Sequence, residues 1–138
     1  DNDSRPLQAS RHPRPSNPEL TPLKIIHFDK GDRYEPEKDW KRKSLCTEED
    51  ISVEHFVKPP RHASPKHDHE NAQVLIVLEG MITIVTDDES EELGVGDTAY
   101  IPGGVPHVVT NTMDTPSTGI AIFVPGRSFD FWLKRKKR

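Results

Sequence analysis

Three of the seven histidines in this chain stand at spacings that could do chemistry. His67 and His69 are separated by one residue, and on an extended segment residues two apart share a face. Two imidazoles therefore stand side by side, with Gln73 four residues further on. His107 comes from a later segment and can complete the set across a barrel interior. Imidazole suits Zn, Fe, Ni, Cu and, less strongly, Mn. Such pairs also arise by chance in His-rich loops, so the pair alone does not establish a metal.

The segments that must position these side chains read as short strands. Leu23–Phe28 is apolar with one histidine. Residues 51–57 alternate, with Ile51, Val53, His55 and Val57 against Ser52, Glu54 and Phe56. Gln73–Leu78 is apolar on both faces, as in a strand covered on both sides. Glu79-Gly80 connects it tightly to Met81–Thr86, and residues 87–90 turn the chain again. Leu93–Val95, Thr98–Ile101, His107–Thr110 and Thr118–Val124 follow, punctuated by Gly, Pro, Asn and Asp. No sustained 3.6-residue period occurs before Ser128, after which a short helix is expected. Short strands at this spacing predict a sandwich or barrel.

Composition sorts the chain into three parts. Only 32% of its 138 residues are hydrophobic, a value near the border of chains too polar to fold. The apolar residues are concentrated, however: 23 of the 51 residues from Val74 to Val124 are hydrophobic, against 3 of the first 22. Residues 1–22 also hold five of the thirteen prolines. They read as an extended arm, either a disordered leader or a strap laid against a neighbouring subunit. Residues 23–127 then form the folded domain, and 128–138 a terminal segment with a basic tail.

Several function classes are disfavoured by the same reading. The five terminal residues are all basic, and without them 14 basic face 23 acidic residues, a body of about −9. That balance argues against nucleic acid as partner, and the tail reads as solvated. No apolar run reaches bilayer length, and no signal-peptide pattern is present. The single cysteine, Cys46, excludes an internal disulfide framework and a Cys-rich zinc site. It reads as a small core residue in a reducing, cytoplasmic setting.

Two motifs carry a family resemblance. His67-x-His69-x3-Gln73-x6-Gly80 resembles the first cupin motif, with Gln where that family usually has Glu and Arg61 where it usually has Gly. Gly96-x5-Pro102-x-Gly104-x2-His107-x3-Asn111 matches the second cupin motif at every defined position. The resemblance spans residues 67 to 111, or about 45–125 with flanking strands. It implies an all-β jelly-roll barrel of the small single-domain kind, holding one divalent metal (Fe, Mn, Ni or Zn), and it implies a homodimer. His67, His69, Gln73 and His107 carry over as ligands by position. Gln73 either ligates or hydrogen-bonds within the lumen, and ligation is favoured. The Gln variant is similar to cupins that ketonise unsaturated uronates.

A neutral ligand set leaves a divalent ion its full charge, which suits polarising a carbonyl or carboxylate oxygen and stabilising an enolate. Without a ligand carboxylate, a proton needs another carrier; His55 and Tyr100 are the candidates, with His27 behind them. Arg61 and Lys66 are candidates for meeting an anionic substrate, although solvated surface charge explains both. Gly103-Gly104 and Asn111 read as structural, shaping the turns around His107. The aromatic residues Trp40, Phe56, Phe123, Phe129, Phe131 and Trp132 read as core, subunit contacts or pocket lining.

The expected activity is enolisation, ketonisation or lyase chemistry on a small oxygen-rich, carboxylated molecule such as a sugar acid or oxo acid. The alternatives are an O2-dependent dioxygenase using Fe(II) or Ni(II) at the same ligands, and a non-catalytic small-molecule binding module.

Overall fold

The computed structural model describes residues 20–136, so most of the proline-rich arm and the end of the basic tail lie outside the described residues. Nine strands follow a 3-10 turn at Phe28–Lys30: β1 (Arg33–Glu37), β2 (Trp40–Thr47), β3 (Ser52–Lys58), β4 (Ala72–Glu79), β5 (Ile82–Val85), β6 (Ser90–Leu93), β7 (Thr98–Ile101), β8 (Val108–Thr110) and β9 (Ser117–Val124). One helix, α1 (Phe131–Lys136), closes the described chain. The strands form a six-stranded sheet in the order β1-β2-β3-β9-β4-β7 and a three-stranded sheet in the order β6-β5-β8. Every pairing is antiparallel. The expected all-β jelly-roll barrel is present.

The two sheets meet through Phe56, Leu75, Val77 and Ile101 on one side and Ile82, Ile84 and Leu93 on the other. Each belongs to a strand that alternates, so successive side chains point to opposite faces. Central strand β9 pairs with β3 and β4 in a register that sets Glu54 beside Ala121 beside Leu75, all inward. The next row, His55–Ile120–Ile76, faces outward. This apolar core fills the half of the barrel nearer the three-stranded sheet. Charged residues from β2 and β3 occupy much of the rest.

Three expectations need correction. Leu23–Phe28 is not a strand: residues 23–27 lie without regular structure on the surface, with Leu23 at 88% exposure, and Phe28 opens the 3-10 turn. Its apolar pattern finds no partner strand, and pattern without pairing makes no ladder. β1 and β2 were not foreseen, because Arg33–Glu37 and Lys41–Ser44 are rich in charge. Burial in the barrel overrides that composition at Pro36 of β1 and at the alternate residues Trp40, Arg42 and Ser44 of β2. Cys46 is only half-buried, at a β-bulge between β2 and β3.

Candidate metal centre

Residues 59–71 position the histidines, although they form no regular strand. The segment runs antiparallel to β8 and the residue before it, with two isolated bridges, Ala63–Thr110 and His67–His107. In the second, His67 N–H donates to the His107 carbonyl at 3.1 Å and His107 N–H to the His67 carbonyl at 2.9 Å. This places the two imidazoles opposite each other, with ring centroids 4.3 Å apart. His67 and His69 are buried on either side of exposed Asp68, so the alternation expected of an extended chain holds. Glu70, on the opposite parity, is exposed.

The loop before His107 is tied to the same segment. Gly104 N–H donates to the His69 carbonyl at 2.8 Å. Gly104 sits at φ +81°, and a Cβ on Gly103 would lie 2.3 Å from the Glu70 carbonyl oxygen. Both glycines are therefore required for this approach. Asn111 is completely buried and donates to the carbonyls of Lys58, Pro59 and Thr115. It clamps the end of β3 to the loop after β8, as its reading as a structural residue predicted.

All three imidazoles are oriented the same way. His67 Nδ1 lies 2.9 Å from the Pro65 carbonyl, His69 Nδ1 3.0 Å from the Asn71 carbonyl and His107 Nδ1 2.8 Å from the Val105 carbonyl. A carbonyl only accepts, so each Nδ1 carries the proton and each Nε2 presents a lone pair. Burial holds the rings neutral. His67 is pushed down to about 2 by desolvation and then by neighbouring His107, and His69 to about 4 by desolvation and then by Arg127. His107 is lowered by the same loss of solvent.

This donor set fits a metal ion. The ligand atoms of His67, His69 and His107 all lie within 4.8 Å of one another, and all three residues are buried. Among the described residues, buried His107 Nε2 has no hydrogen-bond partner. Gln73, inward-facing on β4, places Oε1 3.1 Å from His69 Nε2. Atoms bound to one ion at about 2.1 Å each sit roughly 3.0–3.4 Å apart, so that spacing suits two ligands of a common cation. The same distance also suits a hydrogen bond if the amide nitrogen faces His69, because the two ends of an amide look alike. Ligation and hydrogen bonding both remain consistent with this geometry.

The other sequence candidates lie elsewhere. His55, the first candidate proton carrier, lies on the outer face of β3, edge-on to Phe28 with ring centroids 4.9 Å apart. The reason is that Ser52, Glu54, Phe56 and Lys58 form the buried row of β3, so the more apolar row turns out. Tyr100 is 67% exposed on the outer face of β7, and His27 is exposed. Arg61 is exposed and pairs with Asp114; Lys66 pairs with Asp87. None of these five lines the cavity beside His67 and Gln73.

That cavity is lined by three cationic residues that the sequence did not single out, Arg42, Lys58 and Arg127, together with Trp40, Phe56 and Trp132 from the aromatic set expected in the core or a pocket. Glu54 accepts from Arg42 Nε at 3.0 Å and Nη2 at 2.6 Å, and from Arg127 Nη2 at 3.3 Å. Lys58 makes no such pair: its Nζ sits 4.2 Å from the centre of the Trp40 ring. Alternation in β3 was the one available signal, since Glu54, Phe56 and Lys58 share parity. Which parity faces inward is not written in the strand.

Helix α1 caps the cluster. The Trp132 ring lies 4.5 Å from His67, and Phe131 lies 5.9 Å from His69. These contacts keep the histidines away from bulk water, and so maintain their neutral form. No helix among the described residues is long and apolar enough to cross a membrane.

Comparison with known proteins supplies the family context. Residues 54–123 match the cupin domain family model. No curated protein sequence matches the chain. Among solved structures, an RmlC-like cupin from Shewanella frigidimarina superposes with a TM-score of 0.70 at 22% identity, covering 80% of this chain and 96% of that one. KdgF from Halomonas sp. gives 0.69 at 22% identity, covering 75% and 96%. The polyketide cyclase RemF from Streptomyces resistomycificus gives 0.64 at 23% identity, covering 76% and 81%.

Proposed function

Because the chain belongs to the cupin domain family, we propose that it is a metal-dependent enzyme acting on a small, oxygen-rich, carboxylated molecule such as a sugar acid or oxo acid. The observation that carries this reading is the convergence of three Nε2 lone pairs on one buried spot with an amide oxygen beside them. His67, His69 and His107 would hold the ion, with Gln73 as the fourth ligand. A divalent ion bound there supplies Lewis acidity toward a carbonyl or carboxylate oxygen. Enolisation, ketonisation or elimination of such an acid is the reaction class this supports.

The chain's own contribution is preorganisation. Backbone carbonyls fix the three tautomers, and the strand register fixes Gln73. Trp132 and Phe131 exclude water from the rings. In a dry site the fixed dipoles act with less screening than in solution. The neighbouring polyketide cyclase supports an enzymatic reading over a purely binding one.

Metal content measured by mass spectrometry after purification tests the assignment. The native chain is expected to carry close to one ion per chain and His107→Ala less than a tenth of that. Gln73→Ala is expected to bind metal about tenfold more weakly, the scale seen when support of a metal is lost. Unchanged metal in both variants would remove the site.

We also propose that a second copy of the chain covers the outer face of the six-stranded sheet. Val53, Val57, Val74, Ile76, Ile120 and Ile122 form an apolar outer row across β3, β9 and β4, and Leu23 and Ile25 stand exposed close to this chain's start. A contiguous apolar face of this kind marks an association surface. A twofold pairing would let the same patch serve both copies. Light scattering is expected to give a dimer for the native chain and a monomer for Ile122→Glu; a native monomer would refute the pairing.

A further inference from the structure

Three buried cationic groups line the cavity beside the histidines, and one buried carboxylate, Glu54, answers two of them. Arg42 and Arg127 both lean on Glu54, whose carboxylate is 1% exposed and engaged with both guanidinium groups. Lys58, 1% exposed, lines the same cavity, and its Nζ has no hydrogen-bond partner among the described residues. Arg127, 6% exposed, is likewise left with an unpartnered Nε. The indole nitrogens of Trp40 and Trp132, two further lining residues, are also buried and unpartnered.

These four groups are all donors. A buried donor without an acceptor is costly, and a buried ammonium more so. Their common deficiency is therefore an acceptor, and the excess positive charge asks for a negative one. We propose that this cavity is a carboxylate subsite, in which Lys58 and Arg127 receive the acid group of a small organic acid. The assignment rests on reading the neighbouring histidines as the centre for an oxygen-rich acid, and it identifies the residues that would recognise the acid end.

Several features agree with a carboxylate. His67 and Gln73 line the same cavity, so an acid group held here leaves the rest of a small molecule beside the proposed ligands. Burial pulls Lys58 down to about 7, with nearby Arg42 acting in the same direction and Glu37 against it. An arriving anion would stabilise its charged form. Glu54 does not repel the ligand strongly, because two guanidinium groups already neutralise it. The space is narrow, with room for about one water molecule, so entry of an acid group requires the lining side chains to move apart.

Calorimetric titration of the full chain with pyruvate tests the subsite, before and after chelation of metal. Emission of the two tryptophans, both of which line the cavity, gives a second readout. Pyruvate is expected to bind the chelated native chain and to change that emission. Lys58→Met is expected to bind it ten- to a hundredfold more weakly, the range for losing one hydrogen bond to a charged group. The uncharged analogue pyruvamide is expected to lose affinity to the same degree.

Equal pyruvate affinity in native and Lys58→Met chains would overturn the proposal, as would equal binding of pyruvamide or no binding of pyruvate. Tighter binding of inorganic phosphate than of pyruvate would overturn the carboxylate assignment. Metal analysis of the same samples separates the two readings. Retained metal with no pyruvate binding sinks only the subsite, whereas pyruvate binding in a chain that carries no metal as purified and takes up none on addition sinks only the metal reading.

Discussion

Lys58→Met is expected to unfold at a higher temperature than the native chain at pH 7, by roughly 10 °C. Lys58 is 1% exposed, and its ammonium has no hydrogen-bond acceptor among the described residues. Desolvation is the main reason its pKa is drawn from 10.5 to about 7. A shift of that size corresponds to a penalty on the order of 5 kcal/mol for keeping the charged form buried. The Trp40 face, 4.2 Å from Nζ, returns about 2 kcal/mol of that, leaving about 3. Methionine keeps the unbranched shape, removes the charge and adds apolar contact with Trp40. For a domain of this size, about 3 kcal/mol is roughly 10 °C in Tm.

The dependence on pH follows from the direction of the shift. Between pH 7 and 10.5 the unfolded chain holds a proton on Lys58 that the folded chain gives up, so native stability at this residue rises with pH. Below 7 both forms are charged and the penalty is complete. The advantage of Lys58→Met should therefore be largest near neutral pH and shrink as pH is raised toward 10.5. Thermal unfolding of both chains across that range checks it. A variant less stable than the native chain at pH 7 would contradict the account, and so would a gap that does not change with pH. A stabilised chain that no longer binds pyruvate would show a stability cost retained for function.

The opposite result is expected for Glu54→Gln. Arg42 and Arg127 donate to this carboxylate with both guanidinium groups buried, at 7% and 6% exposure. Glutamine preserves shape but not charge, leaving the two buried guanidinium groups without a counterion beside them. Removing one member of a buried ionic cluster costs about 3–5 kcal/mol, because the survivors stay charged and desolvated. A domain with total stability of order 10 kcal/mol would lose a large share of it. Denaturant unfolding measures the loss. Adding Lys58→Met to Glu54→Gln should recover part of it, because Lys58 and the Arg42 left unpaired line one cavity and repel each other, so the effects should not add. A Glu54→Gln chain as stable as the native one would show that solvent reaches the cluster.

Much of the site was readable from residue order alone. The spacing of Gly96, Pro102, Gly104, His107 and Asn111 describes a turn, an approach and a clamp, each of which the structure contains. His67 and His69 were legible because an extended segment puts them on one side, whether or not it forms a ladder. What escaped was orientation. The β3 sequence Ser52–Lys58 alternates clearly, yet its more polar row faces inward, contrary to the usual expectation of apolar-in and polar-out. His55 was lost from the site, and Glu54 and Lys58 were gained, by that one inversion.

The sequence by itself determined the all-β class and the spacing of the two motifs and three histidines, through local periodicity and turn chemistry, and the motifs' resemblance to a known family supplied the barrel. Only the tertiary structure decided which face of each strand points into the lumen. It also brought Arg42, Lys58 and Arg127, up to 85 residues apart, around one cavity, with Glu54 paired to both guanidinium groups. Side-chain parity along a strand is local, but the side on which the second sheet closes is set by packing of the whole chain, and no single strand carries that information.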